Sequence, residues 1–401
     1  MQDAGKYIVW VVPVFFLMIA LEIWAAKVKQ GRAYRMNDSV TNLQIGLGEQ
    51  IFSIAIKGLL LVFYAFLWKR FALFSIEFNV LNTIVLLILF DFLYYWAHRL
   101  SHEINFMWAT HIVHHSSQEY NLTVALRQPW FQPITTAWLF LPLAFLGFPV
   151  EMFVLVSAID ILYQFWIHTE YIPKMGKVIE FVLNTPSHHR VHHGIDTKYL
   201  DKNHGGIFII WDRLFGTFKE EEERPEYGIT TGLETYNPIR INTHYFEDLW
   251  KRTKSLKGIN KLKVWFKGPA WNPETVQGSS APPALYNPPL ASFENLRLGW
   301  AFLSLSFPAL YFIWFQSQFP LESIIFVTLF LIGHMSLVGL QFEQRAWALK
   351  LEPFRLVALF VFVLWMGNMQ VDFLIVGMLI AIIISLLFFF LRRKYVSLTP
   401  H

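Results

Sequence analysis

Apolar residues fall in long, nearly unbroken runs along this chain, and polar residues collect between them. The runs at 7–26, 45–67, 78–97, 298–316, 320–341, 354–369 and 370–391 approach the ~20 residues a helix needs to cross about 30 Å of hydrocarbon. Each is predicted to be a membrane-spanning helix. Residues 133–167 are equally apolar but carry Pro142, Gly147 and Pro149. Those breaks leave two arms that barely span, so a tight or re-entrant hairpin is expected, returning to the same side at His168. Residues 172–296 are polar. The acidic run KEEEERPE at 219–226 reads as a solvated loop, and the proline-rich stretch at 279–289 as a linker along the cytoplasmic face. The pattern divides the chain into N-terminal transmembrane helices (1–77), a histidine-rich section (78–220), a cytosolic loop and linker region (221–296) and C-terminal transmembrane helices (297–401).

Composition agrees with that picture. The chain is 55% hydrophobic and 15% charged, where a soluble domain carries about a quarter charged residues. The fold class expected is all-α and polytopic. A net charge of +4 is too modest to argue for nucleic acid. There is no cysteine, which excludes disulfides, thiolate ligands and c-type haem attachment. No small-residue cleavage site follows the first run, which reads as a retained helix rather than a signal peptide. Basic clusters set the orientation. Lys27, Lys29, Arg32 and Arg35, then Arg345, Lys350 and Arg355, then Arg392, Arg393 and Lys394 place the histidine groups and the C-terminus in the cytoplasm and the N-terminus outside. Lys69 and Arg70 are the exception. Glu22, Glu49 and Lys57 lie within predicted spans, and either face a protein interior or snorkel to an interface.

Ten of the fourteen histidines sit at 98–115, 168 and 188–193, all near predicted membrane ends. His98 and His102 are four apart; His111, His114 and His115 form HxxHH, and His189, His192 and His193 repeat it. Residues three and four apart share a helix face, so each group can aim its imidazoles at one point. Eight such rings overfill a four-ligand structural zinc shell and divide naturally between two metals. Imidazole favours iron, zinc, copper or nickel over magnesium or calcium. His168 stands four and eight residues after Gln164 and Asp160 and reads as a ninth ligand or as a helix-capping interfacial histidine. Asp91 shares a helical stripe with His98, where it orients an imidazole or makes an ordinary buried polar contact. Glu103 and Glu170 are the carboxylates nearest the histidines in sequence. Trp96, Trp108, Phe131, Trp138 and Trp166 line a lipid entry or form an interfacial belt. An open, charged metal pair at a membrane surface suits oxygen activation against an apolar substrate. The sequence holds no Walker A loop, dinucleotide fingerprint, nucleophile elbow or HExxH motif.

The segments HRLSHE, HIVHHSS and HHRVHHG resemble the histidine boxes of the fatty acid hydroxylase superfamily, which includes the sterol desaturases. WATHIVHHSSQEYNLTVALRQ, TPSHHRVHHG and NHGGIFIIWDRLFGTF are similar to its alkylglycerol monooxygenase branch, densely over 90–220. The resemblance implies transmembrane helices topped by a cytosolic, helical, histidine-rich di-metal domain. It implies a lipid monooxygenase that uses O2 and two iron ions, cleaves the ether bond of an alkylglycerol to a fatty aldehyde and a glycerol derivative, and takes electrons from tetrahydrobiopterin. Its iron ligands map to His98, His102, His111, His114, His115, His189, His192 and His193. Glu103 matches an acidic residue of the first box, while Asn121 and His188 flank the second and third boxes as supporting residues. His204 stands where relatives are expected to carry tyrosine. Two other functions stay open: oxidation of a sterol, carotenoid or fatty acyl lipid, and a membrane metal-binding protein without turnover. No nucleic acid partner is expected, and the oligomeric state is not readable from sequence.

Overall fold

The computed structural model describes residues 4–29, 31, 34–273, 282–367 and 373–396. Its elements are helical. In chain order they are α1 (Ala4–Val28), α2 (Met36–Phe71), α3 (Val80–Glu103), α4 (Asn105–His115), α5 (Leu122–Ala125), α6 (Gln132–Thr136), α7 (Leu141–Leu146), α8 (Val150–Trp166) and α9 (Lys177–Val182). Then follow α10 (Pro186–His192), α11 (Ile210–Phe215), α12 (Pro238–Ser255), α13 (Asn260–Phe266), α14 (Ser292–Phe315), α15 (Leu321–Phe342), α16 (Ala346–Lys350), α17 (Glu352–Gly367) and α18 (Phe373–Val396). Among the described residues the only β pairing is two isolated bridges, Leu183 with Phe208 and Gly194 with Tyr227.

Helices α3, α14, α15 and α18 are long and apolar enough to cross a membrane, and α2, bent by 48° between Ile54 and Ile56, makes a fifth. Their outer faces expose large apolar side chains, among them Leu59 and Phe66, Val80 and Leu81, and Ile383 and Phe390. A face of that kind belongs in lipid. Helix α17 has 16 residues, short of a full span, so the run predicted at 354–369 is a shorter helix; residues 368 and 369 lie outside those described. The apolar stretch 133–167 turns where its breaks predict. Gly147 takes φ +107 with its α-carbon against the Phe74 carbonyl, a place with no room for a side chain, and Pro149 precedes α8.

Two elements differ from the hydropathy reading. Helix α2 starts at Met36, not at 45, because its polar first turns are buried by protein rather than lipid: Asn37, Asp38, Thr41 and Asn42 are all buried. Residues 221–296, expected as loop and linker, contain α12 and α13. Tyr245 and Leu249 of α12 and Val264 of α13 form a core with Ala109 and Ile112 of α4. That layer lies beneath the histidine helix and holds the α3–α4 turn, where Asn105 Nδ2 donates to the Val264 carbonyl at 2.7 Å. The intraspan charges are also accounted for. Glu22 accepts from Tyr34, Thr169 and the Leu122 amide, and Glu49 pairs with Lys57 at 2.7 Å.

Candidate metal centre

Four chain segments deliver the histidines. His98 and His102 occupy the last turns of α3, and the short turn after Glu103 sends α4 back past them with His111, His114 and His115. His168 follows α8. His189 and His192 lie on α10, whose first turn is a capping box built on Thr185 and His188, with His193 as its C-cap. The rings sort into two groups. His98, His102, His111, His115 and His192 each bring one ligand atom within 4.8 Å of the others, and so do His114, His168, His189 and His193. All nine are buried.

Hydrogen bonds to the far side of the rings decide what their near side can do. His114 Nδ1 faces the Arg127 carbonyl at 3.2 Å and His168 Nδ1 faces the Gln164 carbonyl at 2.7 Å. A carbonyl can only accept, so both Nδ1 atoms carry the proton. Both Nε2 atoms are then bare lone pairs, and they stand 3.2 Å apart. His98 Nδ1 likewise donates to the His204 carbonyl at 2.8 Å, and His98 Nε2 meets His111 Nε2 at 3.0 Å. His192 Nδ1 donates to the Lys202 carbonyl at 3.0 Å, leaving its Nε2 buried without a partner, as are Nε2 of His102 and His193. Opposed lone pairs in a buried site repel unless a cation lies between them. The donor set is neutral nitrogen only, which suits a borderline transition metal.

The protonation state agrees. Burial, with some repulsion between neighbouring imidazoles, pushes His111 down to about 3, and burial takes His168 down to about 4. His114, His115, His189, His192 and His193 move down for the same two reasons. Near neutral pH these rings are uncharged, the form that binds metal.

The match to known proteins is specific. The fatty acid hydroxylase family model covers residues 83–217, the stretch that carries both groups. An alkylglycerol monooxygenase from Xenopus tropicalis is 36% identical over 386 residues, 92% of this chain and 85% of its own length. This chain belongs to the alkylglycerol monooxygenase family. Further members from Homo sapiens, 38% identical over 68% of this chain and 62% of the relative, and from Danio rerio, 35% identical over 89% and 82%, match as well. No solved structure matches significantly. The chain is a membrane lipid monooxygenase of a di-iron enzyme family.

Within this family member, the other residues singled out from sequence lie around the clusters rather than in them. Asp91 is fully buried and touches no imidazole. It accepts from the Ile207 and Phe208 amides and from Trp211 Nε1, at 2.6–3.1 Å, and so anchors the loop whose His204 carbonyl holds His98. Glu103 turns outward to Arg99 at 2.8 Å. Glu170 pairs with Arg224 and Tyr227. Asn121 caps α5 through the Thr123 amide and donates to Glu119. His188 bonds Glu180 at 2.9 Å and belongs to neither group. The His204 ring is buried 5.0 Å from that of His102. Of the five aromatics, Trp108 reaches the centre, 4.9 Å from His102; Trp138 is half exposed.

Several residues that shape the site carried no histidine-box signal. Gln132 Oε1 accepts a hydrogen bond from His111 Nδ1 at 2.9 Å. Buried Arg127 binds the Val113 carbonyl, Ser116 and Asn42, tying the end of α4 to α2. Tyr120 lies against His168 and His193. Tyr120 and Arg127 lie within the segment that resembles the family, whereas Gln132 lies beyond it.

Proposed function

We propose that the group of five and the group of four histidines each hold one iron, and that the enzyme oxidises the carbon next to the ether oxygen of an alkylglycerol. When bound, the iron pair supplies O2 activation. The observation that supports this most directly is the pair of bare nitrogens on His114 and His168, held 3.2 Å apart by carbonyls behind them. The balance is one C–H bond, O2, two electrons and two protons giving C–OH and water. The product is a hemiacetal. Its hydroxyl proton leaves, a carbonyl forms and the glycerol oxygen departs with a proton, yielding a fatty aldehyde and a glycerol derivative.

The chain's own residues supply rigidity and dryness. Carbonyls of His204, Arg127, Gln164 and Lys202 fix four rings, and Asp91 and His188 position segments that carry rings. Glu103 and Asn121 stand outside both groups, bonded to Arg99 and to Glu119. The basic clusters support histidine groups and a C-terminus on the cytoplasmic side, with the lipid head near the metals and its tail in the bilayer. The electron donor, by family resemblance, is tetrahydrobiopterin.

Protein reconstituted in lipid nanodiscs should contain about two irons per chain and form fatty aldehyde from an alkylglycerol with O2 and tetrahydrobiopterin. His111→Ala or His192→Ala should lower aldehyde formation by more than the ~100-fold typical of outer partners while the protein still inserts. Turnover of a sterol but not of the ether lipid would move the substrate assignment. A zinc-filled protein without oxygen-dependent product would end the enzymatic reading.

A further inference from the structure

Monooxygenation consumes two electrons that the C–H bond does not provide. The electrons come from a separate molecule, which needs a place to bind. A cavity of about 430 Å³, lined by Tyr120, Tyr227 and Ile195 among others, lies one tyrosine ring away from the group of four histidines, within the range of small-molecule sites. Two ion pairs furnish its walls: Arg35 with Glu119, Nε to Oε1 at 2.6 Å, and Arg224 with Glu170 at 2.7 Å. Asn121 bonds Glu119 at its floor.

The wall toward the histidines is aromatic. Tyr227 stacks on Tyr120 with ring centres 4.9 Å apart and planes 18° apart. Tyr120 in turn lies 5.8 Å from the His168 ring, at 24°, and 5.2 Å from that of His193. Tyr120 is anchored there by donation to the Ile167 carbonyl at 2.9 Å. A molecule in the cavity is therefore screened from the metal positions by one ring. It cannot present a carbon for hydroxylation, but it can touch a two-tyrosine stack that ends on the imidazoles.

We infer that this cavity binds the reductant, a planar, nitrogen-rich heterocycle of the reduced pterin class, whose ring edge meets Glu119 and Arg224 and whose face meets the Tyr227–Tyr120 stack. The inference rests on the di-iron reading above. The reaction balances as lipid C–H, O2 and the tetrahydropterin going to lipid C–OH, water and the dihydropterin, the donor having lost two electrons and two protons. The tyrosines serve as a contact bridge and are unchanged.

The test uses the protein of this sequence in nanodiscs and fully oxidised biopterin, which has no electrons to donate, as the binding probe, so that it needs no turnover. Glu119→Gln and Ile195→Trp, which removes a charge and fills the cavity respectively, should each weaken biopterin binding and raise the KM for tetrahydrobiopterin at least about tenfold, with iron content and the lipid KM unchanged. Tyr227→Leu should keep iron and slow anaerobic reduction of the ferric centre by tetrahydrobiopterin about tenfold. Wild-type binding in both cavity variants overturns the site, as does wild-type protein that makes aldehyde yet binds no biopterin; the ether-cleavage reading survives either result. Biopterin binding that responds to both variants in a protein without iron or aldehyde supports the site and removes that reading. An unchanged reduction rate in Tyr227→Leu overturns the bridge.

Discussion

At the scale of single residues, the centre is governed by what lies behind each imidazole. His168 belongs to the group of four, and the Gln164 carbonyl fixes its tautomer so that Nε2 faces the others. Its removal takes one nitrogen from a set of four. His168→Ala should reduce iron from about two per chain toward about one and abolish aldehyde formation, as metal analysis and the aldehyde assay would show; full iron content would remove His168 from the ligand set. The depressed imidazoles also carry a pH signature. His111 falls from the ordinary 6.5 to about 3 and His168 to about 4, both through burial. Below about pH 6.5 the unfolded chain takes up protons that the folded chain refuses, so folding stability drops as pH falls through that range and recovers as it rises. Thermal melts of metal-depleted protein between pH 8 and 5 should show a Tm that declines below about 6.5. A flat profile would contradict the buried, neutral state.

Among elements, the segment after α10 behaves as a wedge. Gly206 passes between α3 and α8 so closely that a β-carbon would stand 2.7 Å from Asp91 Oδ1 and 2.8 Å from Asp160 Oδ1. The amides of Ile207 and Phe208 reach Asp91 only at that depth, and the neighbouring His204 carbonyl then meets His98. Gly206→Ala should cost about 1–3 kcal/mol of stability through overpacking and lower iron retention, measured by thermal melting and dialysis against a chelator. Unchanged retention would show that the loop and His98 are not linked. The same reasoning explains why Asp91 was half legible. Its stripe with His98 was visible in sequence, but its partners come from a loop more than a hundred residues away.

Across the whole molecule, the C-terminal helices pack against α2, and a buried ionic knot ties α14, α15 and α17 to one another. Ile51 of α2 shares a core with Leu305 and Phe312 of α14 and Leu331 of α15. At one end of that bundle Arg297 bonds Glu294 and Gln341, and Arg355 bonds Glu352 at 2.7 Å, all with side chains almost free of solvent. Arg355, read from sequence as a topology signal, is spent inside this knot. Removing one partner of such a pair leaves an uncompensated charge, a loss of about 3–5 kcal/mol. Arg297→Met should lower the melting temperature in detergent while iron, in the protein that stays folded, remains bound. A melting temperature equal to wild type would show that the knot does not hold the bundle.

Local chemistry was enough to determine the helical class, the apolar runs and the histidine pairs on single helices, because spacings of three and four put side chains on one face wherever the helix lies. It also carried the family likeness through its three boxes. The division of nine imidazoles into five and four was decided only by tertiary structure, since His192 and His193 are adjacent in sequence yet serve different groups. So were the tautomers, the layer formed by α12 and α13, and the tyrosine-walled cavity. Each depends on a carbonyl, a ring or a charge brought from a distant segment, and such pairings leave no period in the chain.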